Sequence, residues 1–158
     1  MAHPDFEELL AELNAKRVRY LIGGAHALAL HARPRASKDL DIYIDPTLAN
    51  AKRVVAALRS FFGGKAPRYV DVDTLLAPDT IVQLGVAPVR VDLLNQLATT
   101  SFRQAWRRRS VSAFGKVKRA NFIAADDLLA EKRHFARPQD LADVAMLERA
   151  RGRANRRR

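Results

Sequence analysis

The chain has 158 residues, of which 48% are apolar, and this predicts a single globular domain with a hydrophobic core. The lack of cysteine excludes disulfides and thiolate metal sites, and the lack of a signal-peptide pattern or an apolar run of about 18 residues predicts a soluble, cytoplasmic protein without a membrane partner. The net charge is +11, and six arginines in residues 149–158 account for more than half of it, which indicates either a polyanionic partner or a disordered tail that only aids solubility.

The first predicted elements are a helix, a strand and a second helix. Residues 4–15 carry apolar side chains at helical spacing, and residues 17–22 (RVRYLI) alternate as in a strand. Gly23 and Gly24 follow at once, and glycine lets the backbone turn tightly and approach a ligand closely. The next helix, over residues 25–31, would point its N-terminal N–H groups at whatever lies over this turn. The turn therefore predicts an anion site, although glycine pairs also mark many ordinary turns.

A basic turn over residues 33–38 leads to a strand with the sequence DLDIYID, residues 39–45. Side chains two apart in a strand project from the same face, so Asp39 and Asp41 should lie side by side. Two adjacent carboxylates repel each other unless a cation lies between them, and oxygen ligands suit Mg²⁺. We therefore expect a metal site here, with a solvated strand edge as the alternative.

A third carboxylate is predicted on a later strand. After a helix over residues 48–62, strands are expected at 80–86 and 89–94, separated by a short turn around Pro88. In the second of these strands, Asp92 lies on the polar face together with Arg90. The alternative is an exposed strand aspartate without a function.

The C-terminal third is predicted to contain a helix over residues 101–109 with a basic end, a hairpin around Gly115, and two further helices. Asp126 is expected to cap the first of these helices, over residues 126–134, which carries Lys132.

Pro138 is expected to open the last helix. Its predicted core stripe consists of Leu141, Val144, Ala145 and Leu147. Asp140 and Asp143 are three residues apart and share one face of the helix.

Together these elements predict an α/β or α+β fold, with a mixed β-sheet flanked by helices and a C-terminal helical segment. We expect residues 1–148 to form one minimal domain and residues 149–158 to form an arginine-rich, disordered tail.

The assembled motifs resemble the DNA polymerase β-like nucleotidyltransferase superfamily, and in particular its small stand-alone bacterial members related to abortive-infection type toxin nucleotidyltransferases. That family has a Gly-Gly or Gly-Ser turn, a spacer helix, an Asp-x-Asp strand and a third Asp on a later strand. The matching stretches here are ALALHARPRASKDLDIYID, the helix start at Asn50, VQLGVAPVRVDLL and DDLLAEKRHFARPQDLADVAML. The resemblance covers nearly all of residues 4–148.

The resemblance implies a nucleotidyltransferase fold and a metal-dependent transfer of a nucleoside monophosphate from an NTP such as ATP. Asp39, Asp41 and Asp92 would be catalytic and would bind Mg²⁺, or Mn²⁺ in its place. Gly23 and Gly24 would cradle the phosphates through their backbone N–H groups.

Further phosphate contacts are implied for other residues. Lys132 resembles a helix lysine that reaches the phosphates, and Asp140 resembles an acidic residue near the same site. Arg35 and Lys38 would offset the phosphate charge. The superfamily often has Ser after the first Gly, where this chain has Gly24, so either one phosphate contact is missing or Ser37 supplies it.

Several functions stay open on this basis. The acceptor is a tRNA 3′ end or other RNA, a protein hydroxyl or a small molecule, and the chain is either an enzyme or a non-catalytic RNA- or partner-binding module on the same fold. A role in a toxin–antitoxin pair, with a cognate toxin or antitoxin as partner, is compatible with both.

Overall fold

The structure is a computed structural model and describes residues 2–86 and 89–158. Its centre is one mixed sheet in which the strands follow the order β3-β4-β2-β1-β6-β5. The strands are β1 (Tyr20–Ile22), β2 (Asp39–Ile44), β3 (Ile81–Val86), β4 (Val89–Leu94), β5 (Ser110–Phe114) and β6 (Val117–Phe122). β2 runs parallel to β4 and β1 parallel to β6, whereas the other neighbours are antiparallel.

Seven helices in the described residues flank this sheet. They are α1 (Pro4–Ala15), α2 (Gly24–His31), α3 (Leu48–Phe61), α4 (Val72–Leu76), α5 (Phe102–Arg108), α6 (Ala125–Phe135) and α7 (Pro138–Arg156). The predicted α+β class with a mixed sheet is therefore confirmed. The turn predicted around Pro88 lies outside the described residues. Among the helices described, none combines the length and the apolar character that a membrane crossing requires.

The burial pattern of the central strands determines which face of the sheet carries polar side chains. All three residues of β1 are buried, so both faces of this strand are covered. In β2, Leu40, Ile42 and Ile44 are buried and their alternate neighbours are only partly so. This alternation fixes β2 with its apolar side in the core and its two aspartates on the other face.

One prediction about the C-terminal helices is wrong, and a second is confirmed only in part. The N-cap of α6 is Ala124, and Asp126 lies inside the first turn, where its charge is favourable without capping the helix. In the predicted core stripe of α7, Leu147 is buried and Val144 packs against the core, but Leu141 is 53% exposed, whereas Asp143 is completely buried. The reason is that the buried face of α7 contacts the cationic side chains of Arg35 and Lys132. Asp143 pairs with both of them, so a carboxylate is buried on this face.

The predicted tail is helical for most of its length, because α7 continues to Arg156. Alanine and arginine are good helix formers, and this stretch contains no proline. Arg151 also pairs with Asp126 of α6 at 3.0 Å. The prediction of a disordered tail from residue 149 is therefore corrected.

Candidate active site

The parallel pairing of β2 with β4 brings the three predicted carboxylates together. Asp41 is directly opposite Asp92 in the register, and Asp39 is opposite Arg90. Partners in a sheet project from the same face, so these four side chains stand together. They line a cleft of about 900 Å³ beside the sheet.

The walls of this cleft contain most of the other residues that the sequence singled out. These are Gly24, Arg35, Ser37, Lys38, Lys132 and Asp140. Gly23 is not among the lining residues. The cleft also contains residues to which the sequence patterns assigned no role, namely Tyr43, Arg90, Glu131 and Arg137. The sequence alone could have indicated Arg90 as a site residue, because it lies two residues before Asp92 and therefore on the same face of the strand.

Arg90 is the cation closest to the carboxylates among the ion pairs of the described residues. Its Nη2 lies 2.8 Å from Oδ2 of Asp39 and 3.4 Å from Oδ2 of Asp92. Burial raises the pKa of Asp41, and the negative charges of Asp92 and Asp39 raise it further. The positive charges of Lys132 and Arg90 act in the opposite direction. The charges of Asp39 and Asp92 therefore act directly on Asp41.

The glycine turn is shaped by β2. Gly24 has φ of +56°, and a Cβ at this position would lie 2.2 Å from Oδ2 of Asp41. The N–H of Gly23 donates to the carbonyl of Asp41 at 2.9 Å, and a Cβ there would meet the Tyr43 ring at 2.7 Å. Gly23 thus joins α2 to β2, and its N–H is already used. Gly24 and the first turn of α2 are the parts of the turn that face the cleft.

Lys132 is held in the cleft by two buried aspartates of α7. Its Nζ lies 2.8 Å from Oδ2 of Asp143 and 3.5 Å from Oδ1 of Asp140. Asp143 also pairs with Arg35, which fixes the turn before β2 against α7. Burial alone would raise the pKa of Asp140, but the hydrogen bonds and charge of Arg137, with the charge of Lys132, bring it below its usual value. Asp143, for which the sequence patterns indicated no role in the site, is therefore the residue that links Arg35 and Lys132.

The residues just before β2 have different surroundings. The Ser37 hydroxyl donates to the carbonyl of Asp39 at 3.0 Å and lies 3.2 Å from the Asp39 N–H. It therefore shapes the start of the strand. Lys38 is exposed on the rim of the cleft.

The donor chemistry of the cleft suits a hard divalent cation. Three carboxylates supply only oxygen ligands, and Oδ1 of Asp92 is buried without a hydrogen-bond partner in the described structure. As the side chains stand, however, no group of three or more His, Cys, Asp or Glu in the described ranges is arranged to hold a metal ion. In this arrangement the Arg90 guanidinium contacts both Asp39 and Asp92.

The comparisons with known proteins support the fold. No family model matches the chain, and no curated protein sequence matches it significantly. Among solved structures, the chain is similar to TM1012 from Thermotoga maritima, described as a candidate nucleotidyltransferase, with a TM-score of 0.55 and 15% sequence identity. The similarity covers 99% of this chain and 96% of the other. At this identity the match shows a nucleotidyltransferase-like fold and does not extend to a subfamily.

Replacing Gly24 by alanine tests the close approach to Asp41. Gly63 is the matched control, because it has φ of +67° and a Cβ added there would have no atom within 4 Å. G63A should lower the free energy of unfolding by about 1–2 kcal/mol, because alanine is strained in the left-handed backbone conformation. G24A should cost a further ~1–3 kcal/mol, because Asp41 must move. Urea denaturation measures both values, and equal losses would show that the contact is not restrictive.

Asp41→Asn should stabilise the protein in the absence of divalent cations, because it removes one of three repelling charges. A carboxyl with a raised folded-state pKa binds more protons when folded, so the free energy of unfolding falls as pH rises. The advantage of D41N over the wild type should therefore be largest at neutral pH and shrink on acidification. Thermal denaturation in EDTA across this range measures it. Glu8→Gln, at an exposed position of α1, is the control, and an equal gain in E8Q would contradict the explanation.

Proposed function

We propose that the protein is a Mg²⁺-dependent nucleotidyltransferase that moves a nucleoside monophosphate from an NTP to an acceptor hydroxyl. The observation that carries this proposal is the pairing of Asp41 with Asp92 across two parallel strands, with Asp39 on the same face of the same cleft. The nucleotidyltransferase-like fold of the whole chain supports it. Mn²⁺ would satisfy the same oxygen ligands.

In this reaction the acceptor oxygen forms a bond to the α-phosphorus, and the bond from that phosphorus to the bridging oxygen of pyrophosphate breaks. The hydroxyl proton passes to the Asp92 carboxylate, and pyrophosphate leaves with the electron pair of the broken bond. Asp39, Asp41 and Asp92 would hold the metal, which when bound stabilises the charges on the attacking and leaving oxygens.

The cationic residues of the cleft have positions that suit the triphosphate. Lys132 lies on the α6 wall of the cleft, and its ammonium is oriented by Asp143. Arg35 and Lys38 lie on the segment that leads into β2. The first turn of α2, at Gly24 and Ala25, adds backbone N–H groups that favour an anion. These groups would bind and orient the nucleotide while the carboxylates act at the α-phosphorus.

The charge distribution favours RNA as the acceptor. Arg33, Arg149 and Arg153 line a small groove between the end of α2 and the outer part of α7. Arg33 is two residues from Arg35, which lines the cleft, so one segment of the chain contributes to both the groove and the cleft. The basic end of α7 continues the same surface to Arg156. A polyanionic strand bound there would bring its end towards the cleft.

Transfer of label from α-labelled NTPs to total RNA, tRNA or protein tests the proposal directly. With Mg²⁺ present, D41N and K132M should lower the rate about 100-fold or more, because D41N removes a carboxylate that would hold the metal and K132M removes a cation that would contact the phosphates. Arg53→Gln is the control, because Arg53 is exposed on α3 and does not line the cleft. Full activity in D41N, or no transfer from any of the four NTPs, would refute the proposal.

Binding of a labelled single-stranded RNA over a range of salt concentrations tests the acceptor surface. The triple variant R149Q/R153Q/R156Q should weaken binding and lower the slope of log affinity against log salt by about 2, as expected for the loss of three phosphate contacts. The triple variant K52Q/R53Q/R59Q changes the charge equally on the exposed face of α3 and should have a much smaller effect. Equal losses in both variants would show that only the net charge matters.

A further inference from the structure

We propose that Arg90 is a built-in counter-ion that competes with the divalent cation for Asp39 and Asp92 and so sets the metal affinity of the cleft. This inference rests on the proposed function. In this structure the guanidinium holds two of the three carboxylates. Metal binding would then require Arg90 to release them.

The sheet gives Arg90 its position beside the carboxylates. It pairs in register with Asp39 across β2 and β4 and stands two residues before Asp92 on β4. Its Nη2 is within 2.8 Å of one carboxylate and 3.4 Å of the other. A single nitrogen therefore bridges two acids on the cleft face of the sheet.

The pairing of Arg90 with these acids is incomplete. Nε of Arg90 and Oδ1 of Asp92 are both buried without a hydrogen-bond partner in the described structure. The contact between Arg108 and Asp127 is different, because Nε and Nη2 each bind one carboxylate oxygen, at 3.0 and 2.9 Å. Buried groups that lack partners cost free energy, so the Arg90 arrangement is weaker than a saturated ion pair of the Arg108 kind.

Arg90 also has room to leave the carboxylates. Its side chain is 37% exposed, so part of it already faces solvent. On the far side of β4, its register partner in the edge strand β3 is Gly85, which presents no side chain beside it. The guanidinium can therefore turn away from Asp39 and Asp92 and remain within the cleft.

This arrangement gives Arg90 a defined effect on the site. Without a metal ion, it offsets the repulsion between the carboxylates. With a metal ion, it becomes a free cation next to the bound triphosphate. The cost of separating it from Asp39 and Asp92 is subtracted from the metal affinity, because both cations need the same oxygens.

The test is Mn²⁺ binding to the apo-protein, measured from the electron paramagnetic resonance signal of free Mn²⁺. Arg90→Gln should bind Mn²⁺ about tenfold more tightly than the wild type, the gain expected from the loss of one charged hydrogen-bond pairing. Arg90→Lys keeps the charge without the planar fork and should lie between the two.

The matched control is Lys38→Gln. Lys38 lines the same cleft and forms no ion pair with the three carboxylates among the described residues, so K38Q should leave the affinity close to that of the wild type. A gain in K38Q as large as in R90Q would show a general charge effect and would overturn the inference.

A second measurement uses stability and does not depend on catalysis. R90Q should have a lower melting temperature than the wild type in EDTA, because the carboxylates lose their counter-ion. Addition of Mn²⁺ should raise the melting temperature of R90Q by more than that of the wild type, because tighter binding to the folded state gives a larger stabilisation. If R90Q does not fold in EDTA, its affinity is measured after purification with Mn²⁺ by competition with a chelator, and R90K is measured directly.

The outcomes separate this inference from the proposed function. If wild type binds Mn²⁺, D41N does not, and R90Q binds no more tightly than wild type, the role of Arg90 is overturned and the enzyme proposal stands. If neither the wild type nor R90Q binds Mn²⁺, both are overturned.

Discussion

The mutual repulsion of Asp39, Asp41 and Asp92 is the constraint on which the rest of this site depends, because other residues must offset it. Parallel pairing of β2 with β4 places the three carboxylates on one face, partly out of water, where their charges interact strongly. Such a group persists only where cations lie close by. Arg90 supplies one from within the sheet, and Lys132 supplies another from α6.

The cationic side chains also need negatively charged partners, and the buried aspartates of α7 supply them. Lys132 is held by Asp143 and Asp140, and these acids also pair with Arg35 and Arg137. The sign of the charge therefore alternates from the three carboxylates to Lys132, then to Asp140 and Asp143, and then to the two arginines that pair with them. A buried ion of this kind is costly when it loses its partner, so the network fixes the position of the Lys132 ammonium. The helices after the sheet are thus part of the site.

The fold and half of the site could be predicted because they follow from local patterns. Alternation in DLDIYID indicated both the strand and the shared face of Asp39 and Asp41, and VRVDLL did the same for Asp92. The register that sets Asp41 opposite Asp92 and Arg90 opposite Asp39 depends on contacts far apart in sequence, and no local pattern contains it. Sequence patterns therefore do not predict the pairing of Arg90 with Asp39.

Helix α7 shows a second limit of sequence patterns. The predicted apolar stripe of Leu141, Val144, Ala145 and Leu147 and the pair Asp140 and Asp143 both have helical spacing. Hydrophobicity favours burial of the whole apolar stripe. The structure buries Leu147 together with Asp140 and Asp143 and leaves Leu141 exposed, because Arg35 and Lys132 make burial of Asp143 favourable.

A fold shared at 15% identity cannot by itself assign a reaction, because one fold supports many functions. In this chain the acids of the cleft lie beside cationic side chains of the protein itself. If Arg90 and Lys132 stabilise the carboxylates, folding does not require a metal, and the cation is free to arrive with the substrate. A nucleotide brings both the metal and the negative charge that a released Arg90 would bind, so each would favour the binding of the other. Under the proposed function, the arginine that pairs with the carboxylates in the absence of ligand would thus couple metal binding to nucleotide binding.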